Sequence, residues 1–584
     1  MTCDHDEVIR RELAFAKAAT SVSELWQRNL ALSGGGCLVP LSRLHLDDVE
    51  LIRQLGEWRE AHVAAYPTRF PISPERTRRW LETAVLGNPL RILFLVFDKA
   101  GRLVGHLGLA NGLARPGWLE IDNVLRGKPE GERGVMTQAM HALTEWARTV
   151  LFTDGFYLRV LESNTRAIAL YHALGYQDCE RSPLRWHHDG NESQLVPAGS
   201  QPAADAYITM EGRCAPHDPQ RMILTAGPSI GLREQVYVGD AVRTGWNSNW
   251  SHYLDRFEHA IAETVGVRYA LATSSCTGAL HIALAALGIG PGDEVIVPET
   301  TWVATANAVR YAGATPVFAD VDPATWLLDP QGLEAWITPR TRAIIPVHLY
   351  GFPCDMTALM AVARRHGLRV IEDAAPSLGA RHAGQMTGSF GDFSAFSFQG
   401  AKLAVSGEGG VLLTDDPELY AKARKIWDQG RASGTFWIDA DGLKYKMSNV
   451  QAALALAQVE RIEEMVAAKR RIYGWYKARL GALADASLYA EPPDSYGAYW
   501  MNSLRLGPGA RLDRDTLMAR LKARHVDTRA VFPAISQYPI WPRRQAVGPV
   551  AKAIGETALN LPSGVCLTRN EVDHACDQIL ALLS

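Results

Sequence analysis

Beyond residue 225 the chain repeats one rhythm, and that rhythm restricts its fold more than any other feature. Short apolar segments, EVIVP, TPVFAD, RAIIPVH and LRVIEDA, come with helix-like stretches such as CTGALHIALAAL and DMTALMAVARRHG. Strands that are apolar on both faces must be covered on both faces, and strands that alternate with helices are joined by crossovers, so the segment predicts βαβ units and a largely parallel sheet. Such a sheet binds its ligands outside the carboxyl ends of its strands. Chemistry is therefore sought where these apolar runs stop.

The amino-terminal third has a different pattern. Strand-like LRILFLVFD, LVGHLGLAN, WLEIDNVLRG, FYLRVLES and AYITMEG are interspersed with helix-like DDVELIRQLGEWREA, MTQAMHALTEWART and NTRAIALYHAL. This predicts a small α/β domain with a mostly antiparallel sheet over 38–212, preceded by a helical extension, 1–37, that ends in a glycine-rich joint, SGGGC. The polar, proline-containing residues 213–225 read as a linker, 226–584 as the second domain, and the stretch from about 463 as its smaller carboxyl-terminal α/β subdomain.

At 584 residues, two or more cores are required. A formal net charge of −3 leaves no electrostatic footprint for nucleic acid or an anionic membrane, so small molecules are the expected partners. The eight cysteines are scattered without a CxxC, which fits reduced thiols. MTCDHDEVIRRELAFAKAAT lacks the apolar core of a signal peptide, no later window is a membrane span, and the chain reads as cytoplasmic.

Four features converge on one chemistry. Lys402, in FSFQGAKLAVSGEGG, is a basic residue next to a strand-like run, where a lone charge is costly unless it is used. Asp373 ends the apolar strand VIED. In LATSSCTGALHIAL, small hydroxyl residues including Ser275 lead straight into a helix, whose first amides form an anion site. Trp302 follows a buried strand, placed to stack on a flat ring. A lysine for a Schiff base, a carboxylate for a pyridine nitrogen, a phosphate cradle and a stacking aromatic are what pyridoxal 5′-phosphate requires. Taken singly, each has an ordinary reading: a snorkelling lysine, a capping aspartate, a core tryptophan.

The segments TSSCTGALHIAL, GDEVIVPETTWVATANAV, VIEDAAPSLGA, GDFSAFSFQGAKLAVSGEGGVLLTDD, KYKMSNVQAALALAQVERIEE and NLPSG resemble the DegT/StrS-type nucleotide-sugar aminotransferases over about residues 222–584. The resemblance implies a fold-type-I enzyme with a mostly parallel seven-stranded sheet, acting as a homodimer and moving an amino group, usually from glutamate, to a nucleotide-linked keto sugar. By motif it implies Lys402 as the Schiff-base lysine, Asp373 as the pyridinium partner and Trp302 as the stacking residue, with Ser275, Cys276, Thr277 and Ser397 around the phosphate. It also implies that Lys444, in GLKYKMSN, reaches the phosphate of the neighbouring subunit. Pro376 stands where relatives often carry a hydrogen-bonding side chain, and Arg529 and Phe532 lie in a segment that approaches substrate. Retention of a lysine, where some relatives carry histidine and dehydrate sugars, implies transamination.

YLRVLESNTRAIALYHALGYQ resembles the GNAT-type N-acyltransferases, which admit acetyl-CoA where their sheet splays. The resemblance implies Tyr171 as the proton donor to the leaving thiolate and Asn164 near the pantetheine arm, with Arg133 and Gly134 in the pyrophosphate loop beside Arg126 and Lys128. Only Gly134 of that loop's usual glycine pattern is kept, Gly131 and Met136 flanking it. Glu120 and Asp122, two positions apart and so on the same strand face, are the candidate proton acceptors, although a solvated strand face gives the same pattern. The joint expectation is a bifunctional enzyme that makes an amino sugar and N-acetylates it. The alternatives are an aminotransferase for another keto sugar or a cyclitol, with the amino-terminal part a non-catalytic CoA-binding or assembly module.

Overall fold

The computed structural model describes residues 5–110, 115, 117–128, 132–213, 220–541 and 545–583. The chain forms two compact units: residues 1–216 with Ile230–Val236, and residues 217–229 with 237–584.

The first unit opens with helix α1 (His5–Lys17), in which Val8, Ile9, Leu13 and Ala16 form a buried stripe. Ile9, Leu13 and Ala16 enter the main core of the unit with Leu30 and Leu32. The expected flexible joint is instead a hairpin turn between β1 (Leu30–Ala31) and β2 (Cys37–Pro40), which pair antiparallel. Gly35 and Gly36 take φ of 92° and 89°, and a Cβ on Gly36 would lie 2.3 Å from the Phe97 carbonyl oxygen. Glycine here serves a tight approach rather than mobility.

The sheet continues through β3 (Thr68–Arg69), β4 (Arg91–Phe97), β5 (Leu103–Ala110), β6 (Trp118–Arg126), β7 (Gly155–Leu161), β8 (Gln177–Asp189), β9 (Glu192–Pro197) and β10 (Asp205–Arg213). Its ten strands run in the order β1-β2-β4-β5-β6-β7-β10-β8-β9-β3. Neighbours are antiparallel except β6 and β7, whose parallel register covers Trp118 to Glu120 against Gly155 to Tyr157 and then stops. Helix α2 (Val135–Val150) follows β6, starting from Gly134 at φ 82°, and α3 (Thr165–Ala173) follows β7.

The second unit is built on β11 (Tyr269–Thr273), β12 (Glu294–Pro298), β13 (Thr315–Ala319), β14 (Thr341–Ile344), β15 (Arg369–Asp373), β16 (Phe393–Ser397) and β17 (Gly410–Thr414). The seven strands lie in the order β11-β17-β16-β15-β14-β12-β13. Pairs within β12 to β16 are parallel, and β17 runs antiparallel to both β11 and β16. Helix α4 (Cys276–Ala286), rich in alanine and leucine and buried over most of its length, packs on this sheet. Helix α5 (Ile462–Leu480) leads into a four-stranded sheet that shares a second core with α6 (Arg569–Leu583) through Ile472, Tyr476, Leu504, Leu561 and Ile579. No helix among the described residues is long and apolar enough to cross a membrane.

Candidate active site

Where the strands of the second unit end, a cavity of about 420 Å³ opens, lined by Ser275, Cys276, Thr277, Thr301, Trp302, Thr305, Asp373, Pro376, Ser397, Lys402, Trp500 and Phe532 among others. That volume suits a small-molecule or cofactor site. Lys402 sits in the turn after β16, its amide donating to the Gln399 carbonyl at 2.8 Å. Its Nζ lies 3.8 Å from the centroid of the Trp500 ring. Burial pushes the Lys402 pKa down to about 8, against the opposing pull of Asp373 and Cys276. About a tenth of this amine is thus unprotonated at pH 7, far more than for a free lysine.

Asp373 is buried at the carboxyl end of β15. Its Oδ2 accepts a hydrogen bond of 2.7 Å from Thr305 Oγ1, and its Oδ1 accepts one of 3.2 Å from the Ala375 amide. Burial raises its pKa above the ordinary carboxylate range, while Thr305 and Lys402 act against that rise. The neighbouring Glu372 serves structure: it accepts from the amides of Gly388, Phe390 and Gly391 and bonds His348.

Across the cavity, Ser275 caps α4 by accepting from the Gly278 amide at 3.1 Å, and Cys276 and Thr277 form the first turn. First-turn amides have no partner within the helix, so they face the cavity as an anion cradle. Strand β17 passes very close behind: a Cβ on Gly410 would lie 2.4 Å from the Cys276 nitrogen. Burial raises the Cys276 thiol well above its usual pKa, so it stays protonated. Trp302 is 56% exposed, with its ring 5.6 Å from that of Phe532. Ser397 lines the cavity and accepts weakly from the Gln399 amide at 3.4 Å.

Two residues from the sequence reading stand apart. Lys444 is exposed and does not line the cavity of its own chain, although its neighbour Tyr445 packs on Gly278 at the helix start. Arg529 is exposed and pairs with Asp527 at 3.3 Å. Sequence reasoning missed Thr305 and Trp500. Thr305 sits one helical turn after Trp302, a spacing that signals a shared face; Trp500 lies far along the chain from Lys402 and carries no local signal.

In the first unit, Tyr171 is buried in the main core with its ring 6.2 Å from Tyr176, and burial pushes its pKa up to about 12. Asn164 caps α3 by accepting from the Ala167 amide at 3.2 Å. The Glu120 carboxylate is held by Arg159 at 2.9 and 3.2 Å, with Tyr157 Oη at 3.5 Å. Asp122 pairs with Arg91 while its Oδ1 is buried with no hydrogen-bond partner, and burial raises its pKa. Arg133 is exposed beside Gly134, Arg126 donates to the Lys128 carbonyl at 3.1 Å, and Gly131 lies outside the described residues.

Comparison with known proteins agrees with this division. Residues 228–580 match the model of the DegT/DnrJ/EryC1/StrS aminotransferase family, and residues 37–177 match that of the acetyltransferase (GNAT) domain. A GDP-perosamine synthase from Caulobacter vibrioides is 43% identical over 364 residues, covering 61% of this chain and 98% of that one. A UDP-N-acetyl-3-dehydro-alpha-D-glucosamine 3-aminotransferase from Acidithiobacillus ferrooxidans is 41% identical over 308 residues, covering 52% and 82%. Among solved structures, an aminotransferase TlmJ from Streptoalloteichus hindustanus superposes with a TM-score of 0.58 at 30% identity, covering 62% of this chain and 99% of that one.

Proposed function

The chain belongs to the DegT/DnrJ/EryC1/StrS aminotransferase family, and from that premise we propose that it aminates a nucleotide-linked 4-keto-6-deoxyhexose, with glutamate as donor, and then N-acetylates the product with acetyl-CoA. The observation that carries the first half is the convergence of Lys402, Asp373 and the start of α4 on one cavity. These residues fit pyridoxal 5′-phosphate, the family's cofactor: a buried carboxylate, a lysine with a lowered pKa and a helix start approached so closely by β17 that only glycine fits at 410. When bound, the cofactor supplies an electron sink for the carbon that carries the amino group.

The protein's own residues do the rest. Asp373, oriented by Thr305, holds a proton on the ring nitrogen. The amides of Cys276 and Thr277 and the Ser397 hydroxyl would hold the phosphate, and Trp302 would stack on the ring. Lys402, with its pKa near 8, takes and returns a proton at the reacting carbon. The chain's 43% identity to a GDP-perosamine synthase supports a nucleotide-linked sugar as acceptor. We read the active form as a homodimer in which Lys444, exposed in its own chain, completes the partner's phosphate site.

For the second half, the parting of β6 from β7 after Glu120 supports entry of acetyl-CoA there, since it frees strand-edge amides and carbonyls for an extended arm. Glu120 or Asp122, two positions apart on β6, takes the proton of the attacking amine. Tyr171 keeps its own proton through the neutral range and can give it to the departing thiolate.

The test is a mass-spectrometric assay of purified protein with glutamate, pyridoxal 5′-phosphate and a panel of nucleotide-linked 4-keto-6-deoxyhexoses, with and without acetyl-CoA. Amination, followed by an acetyl mass gain only with acetyl-CoA, is the expected result. Amination alone would reduce the first unit to a binding module, and no amination would place the substrate outside nucleotide sugars.

A further inference from the structure

Trp500, which forms part of the cavity wall, is held with unusual care. Its segment packs against residues 349–351: the Ala498 amide donates to the Gly351 carbonyl at 2.8 Å and the Met501 amide to the Tyr350 carbonyl at 3.4 Å. Both segments contain a left-handed aromatic residue, Tyr350 at φ 54° and Tyr499 at φ 48°. Gly351 lies between them at φ 97°, and a Cβ there would fall 2.7 Å from the Trp500 nitrogen. Non-glycine residues in this region are strained and persist where their surroundings over-determine them, often beside functional sites.

Trp500 is also tied at both ends. Its Nε1 donates to the carbonyl of Ala401, the residue before Lys402, at 2.7 Å. Its own carbonyl accepts from Lys469 Nζ at 2.7 Å. Lys469 lies on α5 and is 2% exposed; its second acceptor is the carbonyl of Ser563, in the NLPSG segment. Among the described residues no carboxylate pairs with it, and burial pushes its pKa down to about 7. An apolar side chain of similar length, such as methionine, would fill this position without the cost of burying an ammonium. The two carbonyls make an amine there intelligible.

We propose that Lys469 is a positioning residue for Lys402: it anchors Trp500 by the backbone so that the indole face receives the Lys402 amino group whenever that group is free. The ring face attracts the ammonium 3.8 Å away, and the indole N–H fixes the backbone next to the same lysine. Lys402 and Lys469 also border a second, small cavity of about 10 Å³ beside Trp500. The other ionisable groups around Lys402 are Asp373, Cys276 and Glu408. The inference rests on reading Lys402 as the cofactor lysine.

The test is a titration of Lys402 in the full-length chain freed of cofactor. Its rate of modification by an amine-reactive reagent is followed from about pH 6 to about pH 10 by peptide mass spectrometry. No sugar substrate is involved, so the outcome is separate from the proposed reaction. Trp500→Leu is expected to lower the Lys402 pKa by about half a unit or more, with Trp500→Phe shifting it less. Lys469→Met is expected to shift it in the same direction, and Lys469→Met with Trp500→Leu no further than Trp500→Leu alone. If Lys469→Met does not fold, Lys469→Gln, which loosens Trp500 without emptying the site, is expected to give the same pattern. A Lys469 variant that lowers Tm and leaves the Lys402 titration in place would overturn the proposal. So would a Lys469 effect that persists in full in the Trp500→Leu background.

Discussion

Replacing Thr305 by valine removes one hydroxyl and keeps the shape. That hydroxyl donates to Asp373 Oδ2 at 2.7 Å, and both residues are buried. A hydrogen bond to a charged group contributes about 1.5–3 kcal/mol. The carboxylate form of Asp373 loses that amount, which lifts its pKa by about one to two units on top of the rise that burial already imposes. A raised carboxyl pKa means that the ionised form, which pairs with the ring nitrogen, is lost at higher pH. The acid limb of the kcat profile should therefore move up by about one unit or more, with the loss of kcat growing as pH falls. The assay is the initial rate of amino-sugar formation across pH, with Thr305→Ser as the control that restores the donor. A valine variant whose acid limb stays with that of the parent would refute the argument that Thr305 sets the state of Asp373.

Gly410→Ala puts a Cβ against the backbone of Ser275 and Cys276, so the helix start must shift; pyridoxal 5′-phosphate affinity should drop by about tenfold or more in a fluorescence titration. Gly36→Ala forces a side chain into a left-handed turn beside the Phe97 carbonyl and should cost about 1–3 kcal/mol, seen as a lower Tm of the full chain. Lys402→Ala and Lys444→Ala should each be inactive alone, yet co-refolded subunits should recover activity, because one site of each mixed dimer is intact; no recovery would place Lys444 outside a shared site.

What could be read from the sequence follows the physics of each segment. The strands β12 to β15 were legible because each is a short apolar run buried on both faces. Lys402, Asp373 and the start of α4 were legible because each departs from its local pattern in a way that one cofactor explains. The long hairpin of β8 and β9 went unread: it is exposed along most of its length, so it lacks alternation, and only the Asp189-Gly190 turn marks it. The burial of α1 was equally hidden, since an amphipathic stripe does not name the surface that covers it. The pairing of Glu120 with Arg159 was hidden, since it forms across the strand pair β6 and β7, a register that the sequence does not carry. Trp500 and Lys469 converge on Lys402 only in three dimensions.

The central claim, two successive reactions by one chain, is tested most directly by a double-label experiment. Purified protein receives ¹⁵N-glutamate, ¹³C-acetyl-CoA and the nucleotide-linked keto sugar found active in the panel, and the sugar product is resolved by mass spectrometry. The account predicts one final product carrying both labels, preceded in time by a species carrying ¹⁵N alone. A product that keeps ¹⁵N and never gains ¹³C at any time or concentration would contradict it.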